Sequence, residues 1–203
     1  MKRLSLSGLL LTTLMTAQAS AFLSTSESGE LTPSGTFRIG AEPQLRISDG
    51  SGGNVGFFVD SGLNDEWSWR AQLGTGDTEF WGTASAKWVP IPDLDSQPAI
   101  GLRPEVTFGR DENESFSVFR VSPIVSKKID TEIGKLTPYL ALPIGVFAWR
   151  GKSDTISQLV IGSEGKFEEM PTLLFTAELG MNMSKTFSYI SGSISFFFDG
   201  STR

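Results

Sequence analysis

The chain has 203 residues, with 17 Lys and Arg against 23 Asp and Glu, no histidine and no cysteine. An acidic chain without a basic run is excluded as a nucleic-acid binder, and the missing residue types exclude a disulfide framework and a Cys/His zinc site. The length fits one domain.

The chain opens on Lys2 and Arg3, an apolar run around Leu4–Met15, and Ala17-Gln18-Ala19. A basic region, an apolar region and an A-x-A site together read as a signal peptide over residues 1–21, cleaved after Ala19 or Ala21. The apolar run is shorter than the ~20 residues a spanning helix needs. Without Lys2 and Arg3 the chain keeps 15 basic against 23 acidic residues, a net of about −8. Residues 22–34 follow as an N-terminal periplasmic segment, and 35–203 as one β domain. No later apolar run reaches helix length, so any membrane span must be built from strands.

From Thr36 to Ser48 the chain alternates. Phe37, Ile39, Ala41, Pro43, Leu45 and Ile47 share one face; Thr36, Arg38, Gly40, Glu42, Gln44, Arg46 and Ser48 share the other. A period of two is the signature of a strand. Further strands are expected at 55–60, 67–74, 79–89, 99–110, 115–127, 136–149, 171–183 and 187–198, separated by clusters rich in Gly, Asp, Asn and Ser. A tenth is expected at Thr155–Ile161, which is β-branched but alternates poorly. If that segment and one other are loops, the count falls to eight. The expectation is therefore an all-β, antiparallel, up-and-down transmembrane β-barrel of ten strands, with eight as the alternative.

Alternation alone does not say which face meets solvent, since a soluble sandwich or binding barrel alternates too. Three features favour lipid outside. The polar faces are rich in Gly, Ser and Thr with spaced charges, as a narrow lumen requires. Segments of ~10 residues match the length of a tilted spanning strand. Trp67, Trp69, Phe80, Trp81, Trp88 and Trp149 lie near inferred strand ends, where aromatic girdles belong.

Extending the alternation places Arg38, Glu42, Arg46, Asp60, Arg70, Lys87, Arg103, Glu105, Arg120 and Glu178 in the lumen. A lysine or arginine facing lipid at the midplane would cost ~2–4 kcal/mol. In a barrel this narrow, side chains largely fill the interior and opposite charges should pair. The set holds six basic and four acidic groups, so the expected network leaves a basic excess. Two functions follow: a plugged structural or interaction barrel of the cell envelope, or a small pore or solute transporter with a weak anion preference. A soluble periplasmic β-barrel or sandwich that binds a ligand is a third.

Enzymatic chemistry is not expected. A serine needs a neighbouring base to act as a nucleophile, and the outer-membrane hydrolases and acyltransferases that invite comparison depend on a histidine this chain lacks. The acidic runs Asp111-Glu112-Glu114 and Glu164-Glu168-Glu169 lack the spacing of a calcium loop and read as solvated loop charge. Neither a metal nor a cofactor is called for. Gly50-Ser51-Gly52-Gly53 is a turn, without the following Lys-Ser/Thr of a phosphate loop.

The strand Leu136-Thr137-Pro138-Tyr139-Leu140-Ala141-Leu142-Pro143-Ile144-Gly145, the segment Glu178-Leu179-Gly180-Met181-Asn182-Met183 and the aromatic-rich Tyr189–Phe198 resemble the small bacterial outer-membrane β-barrel proteins. That class often ends on an aromatic residue, whereas this chain continues past Phe198 to Arg203. The resemblance implies insertion by the outer-membrane assembly machinery and contact with outer-membrane lipid and lipopolysaccharide. It names no subfamily.

Overall fold

A strand with one apolar and one polar face must bury its backbone donors and acceptors in a ladder, and closing the sheet removes its open edges. The computed structural model, which describes residues 22–48, 51–94 and 96–199, is such a closed sheet. Its segments are β1 (Thr36–Arg46), β2 (Gly52–Gly62), β3 (Trp67–Gly76), β4 (Phe80–Ile91), β5 (Ala99–Asp111), β6 (Glu114–Ser126), β7 (Ile129–Thr131), β8 (Gly134–Ala141), β9 (Ile144–Trp149), β10 (Lys152–Phe167), β11 (Leu173–Ser184) and β12 (Tyr189–Asp199). All pairings between these strands are antiparallel, and β12 returns to β1 from Thr36–Asp199 to Arg46–Tyr189, which closes the barrel.

Twelve segments make ten staves. β6 and β7 are collinear, as are β8 and β9, because the pairs Phe116–Trp149, Ile124–Ala141 and Ile129–Leu136 share one register. The interruptions fall beside Pro123, Pro138 and Pro143, which have no N–H to give the ladder. The remaining donors are still used: Lys127 N–H donates to Pro138 O and Leu142 N–H to Pro123 O, both at 3.1 Å. The tenth strand is longer than the sequence suggested. β10 runs to Phe167, absorbing most of Gly162–Met170, a stretch that reads as a turn.

Two hairpins close in two residues. Glu112 and Asn113 have φ of 49° and 63°, and Arg150 and Gly151 have 51° and 71°. Two successive left-handed residues match the twist of the flanking strands.

The polarity of this barrel is inverted relative to a soluble one. Phe57 is 65% exposed, Phe108 61% and Leu45 60%, while Arg103 and Arg120 on the inner face are 1% exposed. Trp67 and Trp88 face outward and stack with centroids 5.9 Å apart at one end of β4, and Phe80 is exposed at its other end. Trp69 is half-buried. Trp81 and Trp149 do not belong to a girdle. Trp81 follows Phe80 directly, so the pleat turns it inward, and it is fully buried. Trp149 pairs with the inward Phe116 and packs against the same internal cluster.

The N-terminal segment also differs from expectation. Residues 22–34 read as a periplasmic stretch, but Phe22 to Ser28 and Thr32 are buried inside the barrel. The segment starts beside Trp81, in a cluster with Phe187 near the β11–β12 turn. It crosses the lumen and reaches the opposite end, where Ser34 bridges to Gly62 and the chain enters β1. The signal peptide read over residues 1–21 lies outside the described residues.

Candidate functional site

The interior is built from adjacent strands that place charges level with one another. Arg38, Asp60 and Arg70 are direct cross-strand partners on β1, β2 and β3. Asp60 therefore accepts from both guanidinium groups, at 2.7 Å from Arg38 Nη2 and 2.9 Å from Arg70 Nη2. Glu105 and Arg120 are likewise opposed on β5 and β6 and hydrogen-bond directly. Arg103 Nη1 lies 2.7 Å from the other Glu105 oxygen.

The structure places Arg38, Glu42, Asp60, Arg70, Lys87, Arg103, Glu105, Arg120 and Glu178 in the buried interior. Arg46 stands apart, half-buried at one mouth and 4.0 Å from Asp77.

Two acidic residues complete this set. Glu27, on the threaded segment, meets four cations: Arg103 at 2.9 Å, Lys87 at 3.3 Å, Arg70 at 3.4 Å and Arg38 at 3.6 Å. Glu164 lies inside because β10 continues past Gly162; it is 3.6 Å from Arg38 and accepts from Ser28 Oγ at 2.5 Å. Its neighbours in sequence, Glu168 and Glu169, are exposed, so the acidic run divides between lumen and surface. With these two, six acidic groups stand in the interior with five basic ones, Arg46 being at the mouth, and no basic excess remains.

The wall's side chains satisfy the backbone of the threaded segment. Glu178 accepts from Thr25 N–H at 2.9 Å and Ser26 N–H at 2.7 Å. Arg120 donates to Leu23 O at 2.5 Å and Ser24 O at 3.2 Å, while Lys87 donates to Ser28 O at 3.0 Å and Glu30 O at 2.6 Å. Ser24 and Ser26 hydroxyls both donate to Glu42, and Thr32 Oγ1 donates to Asp60 at 2.8 Å. A buried, non-ladder backbone needs such partners.

Glu178 is held from behind by Tyr139 and Tyr189, whose hydroxyls each donate to it at 2.6 Å. Each ring lies close against a glycine on the paired strand. A Cβ on Gly162 would sit 2.3 Å from Tyr139, and one on Gly180 would sit 2.1 Å from Tyr189. Glycine there makes room for the tyrosines to reach the carboxylate.

One end of the lumen is apolar. Phe22 stacks on Trp81 with centroids 4.0 Å apart and planes 11° from parallel. Leu23, Phe116, Val118, Ile156, Phe187 and Tyr189 complete the cluster. A cavity of about 10 Å³ at this end, lined by Gln44, Arg46, Asn54, Asp77 and Phe187, has room for about one water.

Reading alternation did not place Glu27, Glu164, Tyr139 or Trp81 in the lumen. The available signal was the charge imbalance: six inward cations against four anions in the sequence reading left acidic partners to be found.

No family model and no curated protein matches this sequence. Similar solved structures include a bacterial polysaccharide outer-membrane secretin, at 11% identity and TM-score 0.47 over 80% of this chain. The chain spans 65% of that protein's length. The translocator domain of the autotransporter NalP from Neisseria meningitidis is 13% identical, with TM-score 0.43 over 82% of this chain and 89% of its own. LpxR from Salmonella typhimurium is 11% identical, with TM-score 0.41 over 80% of this chain and 100% of its own. The class defined by the closed, inside-out sheet is the outer-membrane type of β-barrel.

Proposed function

We propose that this protein is a non-enzymatic integral barrel of the bacterial outer membrane, exported by its leader and acting as a structural or interaction protein of the cell envelope. The observation that supports the reading is the burial of Phe22 to Ser28 and of Thr32 within the barrel, inside a wall whose outer face is apolar. An apolar band outside and paired charges inside suit a lipid surround. Lipid and lipopolysaccharide are its immediate surroundings, and the assembly machinery is its route of insertion. The offset of the basic excess by Glu27 and Glu164 weighs against an anion-preferring pore.

The test is electrophoretic mobility of the mature protein from an outer-membrane fraction, with and without boiling, followed by recording in planar bilayers. A heat-dependent band confined to that fraction and a silent bilayer are expected. Recovery in the soluble periplasm without a mobility shift would remove the membrane reading, and steady conductance would replace the closed barrel with a pore.

A further inference from the structure

We infer that the lumen contains a binding site for a small carboxylate, occupied within the chain itself by Glu27. Four cations from four different strands converge on this one side chain: Arg38 on β1, Arg70 on β3, Lys87 on β4 and Arg103 on β5, all within 3.6 Å. Three of the four have wall partners that hold them without the segment. Arg38 and Arg70 share Asp60, and Arg103 is fixed by Glu105 and by Ser85 Oγ at 3.2 Å. The cradle therefore belongs to the barrel, whereas the carboxylate that fills it belongs to a separate strap.

The strap differs from the wall. No strand is assigned to residues 22–34, and their one ladder-like contact is the bridge from Ser34 to Gly62 at the far end. Its contacts within the lumen run through side chains, so it can be exchanged without breaking the sheet. Withdrawal of Glu27 leaves these four buried cations, with Arg120, sharing three wall carboxylates, Asp60, Glu105 and Glu164. The surplus is positive at one level of the lumen, and a free carboxylate of matching size restores the balance. Planar guanidinium groups favour a carboxylate over a spherical anion of equal charge.

This inference rests on the strap being the resident occupant of the lumen. Its test reads binding rather than conductance, so a conducting barrel and a failed rescue are separate results. The full-length Glu27→Gly variant removes the side chain and leaves a space of its shape. Its unfolding temperature in detergent is measured in sodium chloride and in sodium acetate at equal ionic strength. A fall on the order of 10 °C in chloride is expected, with at least half regained in acetate. Glu27→Gln, which fills the space with a neutral group, should show no acetate effect. Should E27G not assemble in chloride, refolding is the readout: a heat-modifiable band recovered only in acetate supports the site. Equal stability in the two salts, or no recovery in either, overturns it.

Discussion

The start and the waist of the threaded segment are held in opposite ways. At one end Phe22 and Leu23 join an aromatic cluster with Trp81, Phe116 and Tyr189. Five residues on, Glu27 sits in a ring of four cations. Apolar contact is non-directional and scales with area, so it fixes where the segment lies but tolerates a change of shape. A buried ion network has the reverse character. Removing one partner leaves the others desolvated and unpaired, so it tolerates almost nothing. The comparison teaches that the aromatic end seats the segment, while the charged waist sets its register to the residue.

The largest effect should come from breaking the waist. Glu27→Gln keeps the volume and removes the charge, and should lower the unfolding free energy by about 3–5 kcal/mol. Denaturant titration of the folded band in detergent measures it. A loss no larger than that of an exposed ion pair would abolish the contrast between start and waist.

A smaller effect is expected from Gly180→Ala. The new methyl would overlap the Tyr189 ring, which lies 2.1 Å from the built Cβ, and push its hydroxyl from Glu178. Overpacking of this kind costs about 1–3 kcal/mol. Combining it with Tyr189→Phe sharpens the reading. The phenylalanine has no hydroxyl to displace, so the two changes should cost less together than the sum of their separate effects.

The smallest effect is expected at the aromatic end. Phe22→Leu keeps the apolar volume and gives up the stacking on Trp81, a loss of about 1 kcal/mol. The same titration checks it, and a loss matching that of E27Q would show that the aromatic end and the charged waist both set the register.

Much of this molecule is legible one strand at a time. Each strand's alternation is local, so the inner face of β1 could be read from Arg38, Glu42 and Gln44 without knowledge of any neighbour. The tight turns at Asn113 and Gly151 announce themselves through residues that accept a left-handed backbone. Trp81 was also within reach, because a pleat cannot turn two successive residues to the same side. Reading Phe80 and Trp81 both as girdle residues let composition override geometry.

Other features depend on what lies across the barrel. Whether Glu164 is a loop or a lumen residue depends on how far β10 is paired, and its partners Leu136 to Pro138 sit nearly thirty residues earlier. The inward tyrosines need glycines on the adjoining strands, Gly162 opposite Tyr139 and Gly180 opposite Tyr189, so only the register shows why a ring fits. Residues 22–34 have no periodicity at all. By itself the sequence determined a closed sheet with charges inside, because side-chain period and the cost of a charge in lipid act strand by strand. Only the tertiary structure decided what fills that sheet, because an irregular segment takes its place from the partners that satisfy its backbone, and those come from strands all around the wall.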